Sequence, residues 1–165
     1  VMEQNLYYVD KTMFIPELEK QPRNLFFIRP RRFGKSTFLS MLHSYYDCNQ
    51  SAKFQSLFGN LWIGQHPTEL QGKYQVLFLD FSQVSGNIDS LERNFDFYCS
   101  VKLDGFMRRY GEAYSEETRE KVRKAEYAMD KLAFIHDEAA QKGFDAIRKI
   151  LFDSDGNRRT YELVG

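Results

Sequence analysis

The chain has 165 residues, with 23 Lys+Arg against 23 Asp+Glu and no net formal charge. That length suits one domain rather than two full-sized ones, and a composition of 42% hydrophobic and 28% charged residues excludes wholesale disorder. Neutrality also removes any general attraction to nucleic acid or an acidic membrane, so anion binding has to come from a local cluster.

Aromatic residues are abundant (15 Phe, 10 Tyr and 1 Trp), which predicts a ring-rich core. No run approaches the roughly 20 apolar residues that span a bilayer, and Val1-Met2-Glu3-Gln4-Asn5 lacks the basic and apolar regions of a signal peptide. Cys48 and Cys99 are too few for a disulfide framework, and His43, His66 and His136 are scattered. The expectation is a cytoplasmic protein with reduced thiols and no membrane partner.

In chain order, Thr12 is placed to cap a short helix ending near Lys20, with Pro16 in its first turn. Leu25-Phe26-Phe27-Ile28 is a continuous apolar run, which predicts a strand buried on both faces. Arg29-Pro30-Arg31-Arg32-Phe33-Gly34-Lys35-Ser36-Thr37 follows, and then Phe38, Leu39, Met41, Leu42, Tyr45 and Tyr46 recur at helical spacing from Lys35 to about Asp47. A short helix is expected around Phe54–Phe58, then irregular chain. Tyr74-Gln75-Val76-Leu77-Phe78-Leu79-Asp80-Phe81 predicts a second buried strand ending in a carboxylate. A long helix is expected from Asn87 or Asp89 to Tyr110, and a polar one from the cap Ser115 to Gln141, stopped by Gly143. Residues 150–164 suggest a hairpin turning at Asp153–Asn157. Together these elements predict an α/β protein with a parallel-sheet core flanked by helices.

The chemistry concentrates in one place. A strand, a loop carrying Gly34-Lys35-Ser36 and a helix form the setting of a phosphate-binding loop, because the first amides of a helix lack internal partners and sit at its positive end. Gly34 lets the backbone approach a phosphate, Lys35 would bridge the terminal phosphates, Ser36 would offer its hydroxyl to Mg²⁺, and Thr37 would add a hydrogen bond. The usual Walker A spacing requires a glycine five residues before Gly34, where this chain has Arg29. Arg29, Arg31, Arg32 and Lys35 put four cations in seven residues instead. A solvated basic turn and a patch for a nucleic-acid backbone are the alternatives.

Tyr7-Tyr8-Val9-Asp10-Lys11-Thr12, followed by Arg29-Pro30-Arg31-Arg32-Phe33-Gly34-Lys35-Ser36, resembles the AAA-ATPase-like family of bacterial proteins. The resemblance is specific over residues 7–85 and looser to Gly143. It implies a P-loop NTPase fold, ATP with Mg²⁺, nucleotide contacts from Arg29 through Thr37, possible oligomers, and often a PD-(D/E)XK nuclease-like domain elsewhere in the full-length chain. On this view residues 1–143 form the ATPase-like domain and 144–165 a tail or hairpin.

Hydrolysis needs a strand-terminal acid as well. Asp80 fits by position, as a catalytic acid beside Lys35, yet the family's acidic strand comes later and ends in Asp-Glu-Tyr-Asp, a segment not found here. Asp137-Glu138 sits in a helical pattern and reads as a solvated face. Either a segment is absent between Lys142 and Phe144, leaving the domain incomplete, or the protein binds ATP without hydrolysing it. Tyr7 and Tyr8 are candidates to flank an adenine.

Overall fold

The computed structural model describes residues 9–22, 24–28, 32, 34–142 and 149–152. They divide into two units at Tyr74/Gln75, the first of which also takes in the strand at 149–152. Helices dominate both.

In the first unit, a 3₁₀ turn at Thr12–Phe14 leads into α1 (Ile15–Glu19), whose first turn contains Pro16. β1 is Asn24–Phe27, one residue earlier than the apolar run suggested, and Ile28 beyond it is exposed. α2 spans Lys35–Tyr46 and buries Phe38, Met41, Leu42, Tyr45 and Tyr46, the i, i+3, i+4, i+7, i+8 stripe that an amphipathic helix presents to a core. α3 (Phe54–Phe58) and α4 (Trp62–Gln65) follow. Rings fill the centre. The Tyr45 ring meets Tyr46, Phe54 and Phe58 edge-on at 5.1, 6.1 and 5.5 Å, the offset geometry that ring quadrupoles favour. The last carbonyls of α2 are satisfied from outside the helix, since the Gly72 amide donates to Tyr45 and the Tyr74 amide to Tyr46.

The expected parallel-sheet core is not what forms. Among the described residues the sheet is a two-stranded parallel ladder, β1 against β2 (Lys149–Phe152). The predicted second strand at Tyr74–Phe81 makes a single bridge, Asp47 to Tyr74, and then runs without ladder bonds. The physical reason lies in its backbone partners. The Val76 amide donates to the Tyr110 hydroxyl (3.1 Å) and the Asp80 amide to the Tyr98 hydroxyl (2.6 Å), so side chains of a helix satisfy groups that a neighbouring strand would otherwise take. The described residues are therefore mainly helical and do not build an α/β fold on a parallel-sheet core. β2, the first arm of the anticipated hairpin, pairs in parallel with β1; the hairpin's turn at Asp153–Asn157 and its return arm, like Gly143, lie outside the described residues.

The second unit, from Gln75, is a three-helix arrangement: α5 (Ile88–Tyr110), α6 (Glu116–Lys124) and α7 (Ala128–Gln141). Asn87 caps α5 through the Ser90 amide, and Ser115 caps α6 through the Thr118 amide, as their residue types foretell. The polar stretch from Ser115 to Gln141 is two helices, with Ala125 extended between them. Folding back buries Val122 of α6 and Ile135 of α7, which one continuous helix would leave without a shared core. Each helix start in this unit is held by a polar side chain: Asp96 takes the Ala128 amide at 2.9 Å, and Glu138 takes the Ser115 amide at 2.8 Å.

Candidate phosphate site and its supporting clasp

Gly34 stands at the N-cap of α2 with φ +72° and ψ 25°, in the left-handed region, and Lys35 continues in helical conformation. A left-handed residue followed by a right-handed one turns successive amides toward a common concavity, the backbone nest that accepts anions. The first α-type bond of the helix runs from the Phe38 amide to the Gly34 carbonyl at 2.9 Å, so the amides of Lys35, Ser36 and Thr37 precede it. Among the described residues, no side chain bonds the Ser36 or Thr37 amide. A Cβ built on Gly34 would meet nothing within 4 Å, so glycine is required there by its φ and not by crowding. Arg32, exposed and in a turn, also has positive φ (64°), an unusual conformation for a non-glycine residue.

Ser36 is exposed, while Lys35 and Thr37 are half-buried. The remaining loop positions, Arg29, Pro30, Arg31 and Phe33, lie outside the described residues, as do Tyr7 and Tyr8.

Asp80 belongs to the second unit and is occupied locally. Its carboxylate accepts the Ser82 amide (3.1 Å), the Ser82 hydroxyl (2.6 Å) and the Gln83 amide group (3.4 Å), capping the turn at Phe81–Gln83. The Ser82 hydroxyl bond outweighs desolvation, and Lys102 adds to it, holding the Asp80 carboxyl below its ordinary range. Asp137 is solvated, as its helical spacing suggests, whereas Glu138 is not. The Glu138 side chain, only 11% exposed, accepts from the Ser115 amide and hydroxyl and pairs with Lys142 at 2.5 Å. Burial pushes its carboxyl upward, but the bonds from Lys142, Thr118 and Ser115 prevail and hold it at about 2. Neither cysteine is activated: burial raises both thiols, with Asp47 adding to the effect at Cys48 and Asp96 at Cys99.

The Asp10-Lys11-Thr12 segment has a role that its sequence did not disclose. Asp10 Oδ1 accepts from the Thr12 amide (2.8 Å) and the Thr12 hydroxyl (2.6 Å), and Oδ2 accepts from the Trp62 amide (2.7 Å). Thr12 Oγ1 in turn accepts from the Ile63 amide at 3.1 Å, with Thr12 and Ile63 both fully buried. Thr12 is thus not a cap for its own helix. Together with Asp10 it caps α4, whose N-cap residue Leu61 has no group to do so. Burial of Asp10 acts to raise its pKa, but the bonds from Thr12 and Trp62 prevail and hold its carboxyl below the usual value. The available signal was negative: a helix start preceded by Leu needs its cap from elsewhere.

A family model described as a predicted AAA-ATPase matches residues 1–150. The chain belongs to the AAA-ATPase-like family. A protein of Azotobacter chroococcum mcd 1, described as an uncharacterized protein in the vnfD 5' region, is 50% identical over 44 residues, a match that covers 27% of this chain and 8% of that protein. No solved structure matches. Among the described residues, no helix is long and apolar enough to cross a membrane.

Proposed function

We propose that this AAA-ATPase-like chain binds the phosphates of ATP at the start of α2, where the Ser36 hydroxyl would be a ligand for the accompanying Mg²⁺. The observation that carries this reading is the left-handed Gly34 leading directly into the helix start at Lys35-Ser36-Thr37. Phosphate fits that donor set, because backbone amides and the helix dipole both favour an anion there. Lys35 would add a compact positive charge to the terminal phosphates, and Arg29, Arg31 and Arg32 further cationic character.

For the metal, Ser36 is an exposed residue whose hydroxyl would serve as a ligand. Among the described residues, no group of three or more His, Cys, Asp or Glu side chains assembles a cage, so a cation here would take most of its ligands from the nucleotide and water. When bound, Mg²⁺ supplies charge neutralisation across the phosphates. The residues themselves bind and orient: the nest fixes the phosphate, Lys35 selects for charge, and Ser36 sets the cation's place.

A second reading, a nucleotide-binding module without turnover, is favoured by Asp80, whose carboxylate is already engaged by Ser82 and Gln83. Saturation with MgATP at about 100 times Kd should stabilise the wild-type protein by about 2.7 kcal/mol. Lys35→Ala should abolish that stabilisation, and equal melting shifts in mutant and wild type would refute the site. Release of inorganic phosphate by wild type alone would favour an ATPase over the non-hydrolysing module.

A further inference from the structure

A line of rigid contacts connects the Asp10–Thr12 clasp to α2. The clasp holds the amides of Trp62 and Ile63, at 2.7 and 3.1 Å, at the head of α4. One residue on, a Cβ added to Gly64 would lie 1.9 Å from the Phe58 carbonyl oxygen, so the α3 and α4 backbones touch with no room for a side chain. Phe58 stacks on Phe54 at 5.6 Å, and both rings pack on Tyr45 of α2. Tyr45 cannot swing away. Its hydroxyl accepts the Thr68 amide at 2.8 Å and lies 3.0 Å from Thr68 Oγ1, which donates to Glu19. Glu19 also receives the Tyr46 hydroxyl, at 3.0 Å. The links run through the Asp10 and Thr12 side chains, the α3–α4 backbone contact, the buried rings of Phe58 and Tyr45 and the bonded Tyr45 hydroxyl, and close-packed interiors transmit displacement instead of absorbing it.

We propose that Asp10 and Thr12 are positioning residues for the phosphate site: by fixing α4 against α3, they set the seat of α2 and so the aim of the amides at Ser36 and Thr37. This rests on the reading of the α2 start as a phosphate site, and it assigns the Asp-Lys-Thr segment a task in binding without contact to the ligand.

The test compares Asp10→Ala, Thr12→Val and Thr12→Ser with wild type, using MgATP affinity and amide hydrogen exchange across α2. Asp10→Ala and Thr12→Val should weaken MgATP by roughly 2- to 30-fold, the range of packing-mediated coupling, and speed exchange at Phe38–Leu42. Thr12→Ser keeps the hydroxyl and should restore both. Lys131→Met, which breaks the 2.7 Å pair with Asp104 in the second unit, should destabilise the chain without changing affinity. Wild-type affinity in Asp10→Ala, with exchange altered only at Trp62 and Ile63, would overturn the proposal. Should Asp10→Ala fail to fold, Asp10→Asn, which keeps one acceptor oxygen, replaces it in both readouts. Should wild type itself ignore MgATP, the phosphate reading falls, and exchange alone decides the relay: acceleration at Phe38–Leu42 upholds it, and none there overturns it.

Discussion

At the start of α6, a carboxylate from 23 residues away takes the Ser115 amide and hydroxyl, while Ser115 itself caps the helix. At the start of α2, Gly34 brings no side chain, and no carboxylate of the described residues bonds the Ser36 or Thr37 amide. The α6 start is thus closed by the chain's own anions, whereas at the α2 start, on the reading proposed above, an anion from outside would take the Ser36 and Thr37 amides. Both starts offer the same unsatisfied donors. What separates them is whether an internal carboxylate answers. α4 and α7 fall with α6, because Asp10 and Asp96 serve them in the same way.

Breaking the closed start should have the largest effect on stability. Glu138→Ala leaves the Ser115 amide and hydroxyl without their acceptor and reduces Lys142 to its bond with the Ala113 carbonyl, and should cost about 1–3 kcal/mol. At roughly 2–4 °C per kcal/mol for a chain of this size, the loss is visible in a melting curve; an unchanged melting temperature would show that the contact is idle. MgATP affinity should stay as in wild type.

The open start should respond in the reverse sense. Gly34→Ala forces a Cβ into a left-handed conformation at about 1–2 kcal/mol, yet meets no neighbouring atom. Titration with MgATP should show a loss of affinity larger than the loss of stability, because relaxation of φ at residue 34 unmakes the nest. Unaltered affinity would mean that the nest is not the binding element.

Acid should distinguish the starts with the smallest and most gradual effect. The Glu138 carboxyl is held at about 2, below its ordinary 4.5, so its contribution is complete above about 4.5 and is lost as pH falls toward 2. Asp10, also lowered, acts in the same direction. Wild type should lose stability on acidification more steeply than Glu138→Gln, as read by denaturant midpoints at pH 6, 4 and 3. Parallel pH curves would contradict this.

Helix existence was legible where pattern and cap agreed. The stripe from Phe38 to Tyr46 announced α2, and Asn87 and Ser115 announced the starts of α5 and α6. The sheet was misread because an apolar run cannot say which partner will satisfy its amides. Val76 and Asp80 find the hydroxyls of Tyr110 and Tyr98, at sequence distances that no local pattern encodes. The break after Lys124 was hidden for a related reason, since no glycine or proline marks it and the gain lies in burying Val122 and Ile135.

Of the candidate site, Gly34-Lys35-Ser36 was plain from residue order, because the dipole and amides of a helix start follow from local geometry. The clasp proposed to support it was not: Asp10 and Thr12 act 52 and 51 residues away from the amides they hold. Short-range rules cannot reveal such contacts, but a helix preceded by Leu61 or Tyr127 does reveal that a cap is owed.

The most direct test of the claim that α2 opens on a phosphate site is a backbone amide titration of the ¹⁵N-labelled chain with MgATP and, separately, with inorganic phosphate. The account predicts that the largest shifts fall on Gly34 through Thr37 with both ligands, and that the Ser115 and Ala128 amides stay put. Shifts that are absent at residues 34–37, or larger at residues 75–142, would contradict it.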